Sequence, residues 1–64
     1  MEPIYITYLL RKNGTSQAKI AKKLEVSKTA VSLVVAGRST SARIKRAIAK
    51  ALKMKVKEIW PDAA

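Results

Sequence analysis

The sequence predicts an all-α fold, a compact domain of five short helices. Three observations lead there. Apolar residues recur three or four positions apart, as in Ile20 and Leu24, Val31 and Val34, Ile44 and Ile48. Ser16 and Ser27 stand directly before two of these runs, where a hydroxyl oxygen accepts from an otherwise unpaired helix N–H. Asn13-Gly14, Ala36-Gly37 and Pro61 close three runs with residues that end helices.

The first helix covers about residues 3 to 12. Pro3 suits its first turn, where the missing N–H is not needed. Ile6, Leu9 and Leu10 form the inward stripe, with Tyr5 or Tyr8 at its edge, and Asn13-Gly14 supplies a left-handed C-cap. The second helix covers about 17 to 24 behind Ser16, with Ile20 and Leu24 inward. The third covers about 28 to 35 behind Ser27, with Val31 and Val34 inward and Val35 a partly buried edge residue. Its β-branched Thr29, Val31, Val34 and Val35 are poor helix formers, but the three-residue spacing and the caps on both sides outweigh propensity. Arg38 to Ser41 is a polar loop. The fourth helix, about 42 to 52, carries Ile44, Ile48, Ala51 and Leu52; the fifth, about 56 to 60, carries Val56, Ile59 and Trp60. The tail Asp62-Ala63-Ala64 is expected to fray.

Residues 1–64 are expected to make one domain, and a chain this short buries only about 60% of its unfolded surface. There is no cysteine and no histidine, and the carboxylates Glu2, Glu25, Glu58 and Asp62 are scattered. The composition therefore offers no catalytic residues, no metal site and no cofactor, and leaves no length for a small-molecule pocket. The net charge is +10. From Val26 to Lys57 there is no acidic residue, while Lys28, Arg38, Arg43, Lys45, Arg46, Lys50, Lys53, Lys55 and Lys57 lie in that stretch. Such a chain repels itself unless a polyanion screens it, which points to nucleic acid; a solvated basic face is the plainer alternative. No apolar run approaches the ~20 residues that span a bilayer, and the N-terminus does not read as a secretion signal. The expectation is a soluble, cytoplasmic protein with no membrane partner.

The stretch from Gln17 to Gly37 is the most informative. Two helical patterns meet at a turn, and Ile20, Leu24, Val26, Val31 and Val34 are spaced to pack on one another. Ala21 is small where two helices must approach closely. This is the layout of a helix-turn-helix at about residues 17–36. Its second helix presents Lys28, Thr29, Ser32 and Leu33 outward, as a unit built to enter a DNA major groove does. Lys28 suits guanine O6 and N7, or equally a phosphate. Thr29 and Ser32 can donate to or accept from base or phosphate, while Ser27, and alternatively Thr29, caps the helix. Leu33 lies off the buried stripe and fits a thymine methyl. Gln17, in the first turn of its helix, suits a phosphate. Lys19, Arg43 and Lys45 oppose the dipole at two helix N-termini, which makes poor sense for stability and good sense beside phosphates.

From Gln17 to Trp60 the chain resembles the phage repressor and Cro-like (lambda-repressor-like) family of helix-turn-helix domains, and within it the small Ner-like regulators. The resemblance is carried by Gln17, Ile20, Ala21, Leu24, Val26, Ser27, Val31, Ser32, Val34 and Gly37, then by Ile44, Ala47, Ile48, Ala51 and Leu52, and by the closing Val56-Lys57-Glu58-Ile59-Trp60-Pro61. It implies a five-helix domain that binds operator DNA and regulates transcription, most simply as a repressor of phage type acting at the nucleoid of a bacterial cell. It implies base contacts from Lys28, Thr29, Ser32 and Leu33, and backbone contacts from Gln17, Ser27, Arg38, Ser39, Thr40 and Arg43. Arg43 has a second role by resemblance, in a narrowed minor groove. The resemblance further implies a dimer contact through Val56, Ile59 and Trp60. Because the fourth and fifth helices are so cationic, the expected species is a monomer or weak homodimer that pairs on a roughly palindromic operator. The chain departs from the pattern at Glu25, where the family often has glycine in a left-handed turn.

Three competing functions follow from the same residues: a sequence-nonselective architectural DNA-binding protein, an antitoxin-like module that docks on an acidic protein, and a basic protein of the membrane surface. The capped third helix argues against the first. Apolar residues committed to a core rather than to one amphipathic face argue against the last.

Overall fold

The computed structural model describes residues 1–61, so the expectation for the tail lies outside the described residues. Five helices follow in order: α1 (Pro3–Lys12), α2 (Gln17–Leu24), α3 (Lys28–Val35), α4 (Ala42–Leu52) and α5 (Val56–Ile59). No strand occurs among the described residues.

Serine hydroxyls start α2, α3 and α4. Ser16 Oγ accepts from the Lys19 N–H at 3.1 Å, and Ser27 Oγ accepts from the Ala30 N–H at 3.1 Å. Ser41, read from sequence only as part of a polar loop, caps α4 by accepting from the Ile44 N–H at 3.4 Å. Pro3 opens α1 as expected, and there Glu2 makes no side-chain cap. α5 closes back on itself, with the Lys55 N–H donating to Glu58 Oε1 at 2.9 Å.

The first four helices end in one way. A residue one or two positions past each helix takes a left-handed conformation, and the next N–H reaches back five residues: Thr15 to Leu10 O, Val26 to Ala21 O, Arg38 to Leu33 O, and Met54 to Ala49 O. Gly14 (φ 77°) and Gly37 (φ 78°) fill two of these positions, where no Cβ opposes the conformation. Glu25 (φ 58°) and Lys53 (φ 56°) fill the other two. The turn expected from the resemblance is thus built with its left-handed residue, but on a glutamate.

The core joins Ile6 and Leu10 of α1, Ile20 and Ala21 of α2, Val31, Val34 and Val35 of α3, Ile44, Ile48, Ala49 and Leu52 of α4, and Ile59 with Trp60. Leu24, Val26, Ala51 and Val56 are half-buried against it. Three expectations are corrected. Val35 is 3% exposed, a core residue rather than an edge one, in a fold where α1 and α4, as well as α2, pack on α3. On α4 the buried small residue is Ala49, with Ala51 at the margin. Trp60 stands just past the end of α5. On α1, Leu9 is half-buried and both tyrosines lie about half exposed, outside the stripe.

Glu25→Gly is expected to raise stability by about 1 kcal/mol. It removes roughly 1–2 kcal/mol of left-handed strain, offset in part by about 0.4–1 kcal/mol for the freer unfolded chain. It also removes a carboxylate from the negative end of α2. Lys53→Gly gains less, since it deletes a cation favourable at the end of α4. Thermal unfolding of both variants checks the order; a Glu25→Gly protein that melts lower than the parent contradicts it. In the opposite direction, Ser16→Ala and Ser27→Ala should each cost about 1 kcal/mol, and Ser41→Ala less because its bond is longer.

Candidate nucleic-acid interface

α2 packs more extensively on α3 than any other two helices pack. The reason lies in the sequence: Ala21 has no bulk to hold the helices apart, and Val31 and Val34 are wholly buried beneath them. Burying Val31, Val34 and Val35 leaves the opposite face of α3 to solvent. Lys28, Thr29, Ser32 and Leu33 all lie exposed on it, Leu33 with 41% of its surface free. The four residues chosen from sequence therefore form one contiguous stripe over the first turn and a half of α3.

A hydrogen-bonded relay ties this stripe to α2 and α1. Ser32 Oγ donates to Gln17 Oε1 at 2.9 Å. Gln17 Nε2 donates to Thr7 Oγ1 at 2.9 Å, and Thr7 Oγ1 donates to Pro3 O at 3.1 Å. The relay holds the Gln17 amide in place and leaves one of its two N–H groups free. It also spends the Ser32 hydroxyl proton, so Ser32 faces outward as an acceptor, a narrower role than its sequence suggests. Ser27 is the reverse case. Its oxygen accepts from Ala30, and its hydroxyl proton remains available to an anion.

Beside the relay lies a cleft of about 380 Å³ lined by Thr7, Arg11, Ser16, Gln17, Ala18, Lys28 and Ser32. Two cations, the free amide hydrogen and the N-terminus of α2 converge there, and no lining residue is acidic. That is the chemistry of a phosphate seat. Arg11 is the residue that sequence reading missed. Its one sequence signal is position, one helical turn after Thr7, and this means something only once α1 is known to pass beside the start of α2.

The remaining expected residues fall elsewhere. Arg38 and Thr40 are exposed in the loop between α3 and α4, and Ser39 is half-buried there. Arg43 has a partner that the sequence did not announce: its Nη2 donates to Leu24 O at 3.1 Å, which caps the C-terminus of α2. That bond uses one of the five guanidinium N–H donors and leaves the others free for a phosphate. Lys19, too, turns back toward the fold, with Nζ 3.5 Å from Gly14 O.

Of the residues expected at a dimer contact, Ile59 is corrected. It is 0% exposed, filling the core under α4, and has no surface to offer a second copy. Val56 and Trp60 line a groove of about 870 Å³ together with Ser39, Thr40, Lys45, Arg46 and Lys57. Lys45 Nζ sits 5.6 Å from the centre of the Trp60 ring, a cation–π contact that ties α4 to the segment after α5.

Residues 1–63 match the family described as winged helix-turn-helix DNA-binding. The chain belongs to this family. It is a helix-turn-helix DNA-binding domain, and the described residues form no strand. No curated protein and no solved structure matches the chain. No helix among the described residues is long and apolar enough to cross a membrane.

Two substitutions separate a phosphate contact from a helix cap. Arg11→Ala is expected to weaken DNA binding about equally on every sequence and to flatten the plot of log K against log salt by about 0.9. Arg43→Ala is expected to flatten that slope in the same way and also to lower the melting temperature, because it removes the cap on Leu24 O. Titrations at several salt concentrations, with a thermal melt of each variant, read both effects.

Proposed function

We propose that this DNA-binding domain is a site-specific transcriptional regulator, a repressor of the phage repressor and Cro-like type, with α3 in the major groove. The observation that carries the reading is the single exposed stripe of Lys28, Thr29, Ser32 and Leu33, anchored through Ser32 and Gln17 to a basic cleft at the start of α2. A rigid link between a groove-facing helix and a phosphate seat sets the depth and register at which side chains meet base edges. In this arrangement Lys28 donates to guanine, Thr29 to base or phosphate, Ser32 accepts, and Leu33 lies against a thymine methyl. Gln17 and Ser27 hold the backbone on one side, with Arg38, Ser39 and Thr40 on the other. Arg43 joins them through the N–H groups that its bond to Leu24 O leaves free.

Two copies fit this function better than one. The domain is 26 Å across at its longest. Successive major grooves on one face of DNA lie about 34 Å apart, so one chain fills one half-site and a second copy is needed for the next. We take the operator to be roughly palindromic for that reason, and the protein to act by covering it, inside a bacterial cell. A non-selective architectural role is the competing reading, and it needs no fixed register between α3 and the backbone.

Selection of bound duplexes from a random pool at about 150 mM salt tests the reading. The parent chain is expected to yield a two-part consensus that blurs in Lys28→Ala/Thr29→Ala, with each lost base contact costing about 1–3 kcal/mol of discrimination. Absence of a consensus, with affinity that only falls as salt rises, would move the protein to the architectural class.

A further inference from the structure

Four large apolar side chains are exposed among the described residues, and three of them share α1: Ile4 (78%), Tyr5 (50%) and Tyr8 (54%). They form one patch on the side of the helix opposite Ile6 and Leu10. The tyrosine rings stack within the patch, with centroids 6.0 Å apart and planes 18° from parallel. The ends of the same face carry opposite charges. Glu2 precedes the helix and makes no capping bond, and Arg11 and Lys12 close it. In a chain of net charge +10, an apolar centre here lies between an acid and a base.

We propose that the outer face of α1 is where two copies of this chain meet, as an antiparallel helix pair about a two-fold axis. A two-fold axis beside the middle of α1 brings Tyr5 of one copy against Tyr8 of the other, with both Ile4 side chains alongside. It brings each Glu2 to the Arg11–Lys12 end of the opposite helix, and it sets the two helix dipoles head to tail. The patch is therefore complementary to itself. A purely acidic partner leaves Glu2 unpaired, and the groove beside Trp60 would bring Lys45, Arg46 and Lys57 of two copies together.

A ten-residue helix spans about 15 Å, so the pair buries less than the roughly 800 Å² per partner of a stable complex. Association is weak in free solution and strengthens when DNA holds two copies close. The inference rests on the two-copy reading above, but its surface can be tested apart from it.

The test is oxidative tyrosine coupling together with sedimentation equilibrium, with and without operator-length duplex. The chain has only two tyrosines, both in the patch. The expected result is a covalent dimer on a denaturing gel, cross-linked between Tyr5 and Tyr8. Tyr8→Lys and Lys12→Glu are each expected to weaken self-association about tenfold or more, with melting temperatures near the parent's because both sites are exposed. Lys12→Glu is decisive: it lowers the net charge, so repulsion between whole molecules predicts tighter pairing and the proposal predicts looser. Two copies on DNA without tyrosine-linked dimers, or pairing that both variants leave unchanged, overturns the α1 surface and leaves the two-copy reading standing. A single copy at every concentration and on every duplex overturns both.

Discussion

The packing of α2 on α3 is the constraint from which the rest of this small domain follows. A buried alanine lets the helices approach, and the left-handed Glu25 turns the chain between them within three residues. Once that angle is set, Val31, Val34 and Val35 point into the core, and Lys28, Thr29, Ser32 and Leu33 point out. The exposed stripe is in that sense a by-product of the core. With so few buried residues, a change in the α2–α3 angle would move the stripe and open the core together.

The same economy shows in how the helices end. Four of them close with one left-handed residue and one backward-reaching N–H, whether the residue is glycine, glutamate or lysine. Strain is accepted at Glu25 and Lys53 because the closure satisfies carbonyls that would otherwise be left unpaired, and because it sends the chain into the next helix at a fixed angle. Where no such closure reaches, a side chain substitutes. Arg43 crosses from α4 to the end of α2, so a residue that looks like a DNA contact in the sequence also works as a brace in the free protein.

Charge and polar bonding divide the surface into parts with different uses. The cleft between α1, α2 and α3 gathers Arg11 and Lys28 around a held amide and a helix N-terminus. The groove beside Trp60 gathers Lys45, Arg46 and Lys57. The outer face of α1 departs from this basic surface, with tyrosines and isoleucine between charges of opposite sign. Membership of a helix-turn-helix DNA-binding family accords with the basic character of the first two parts. It says nothing of the last.

The sequence by itself determined the helices. Their order, their starts at Ser16 and Ser27, their stops at Gly14 and Gly37, and the outward stripe of α3 are all local, written in spacing and in the few residue types that cap or turn a chain. It also carried the net charge, and with it the nature of the partner. Tertiary structure alone decided what depends on which helix lies beside which. It buried Val35 and Ile59, brought Arg11 to the start of α2, committed the Ser32 proton to Gln17, and gave Arg43 to Leu24. These residues are separated by up to nineteen positions in the chain, as Arg43 is from Leu24. A helical period tells which way a side chain points from its own axis, and only packing tells what stands there to meet it.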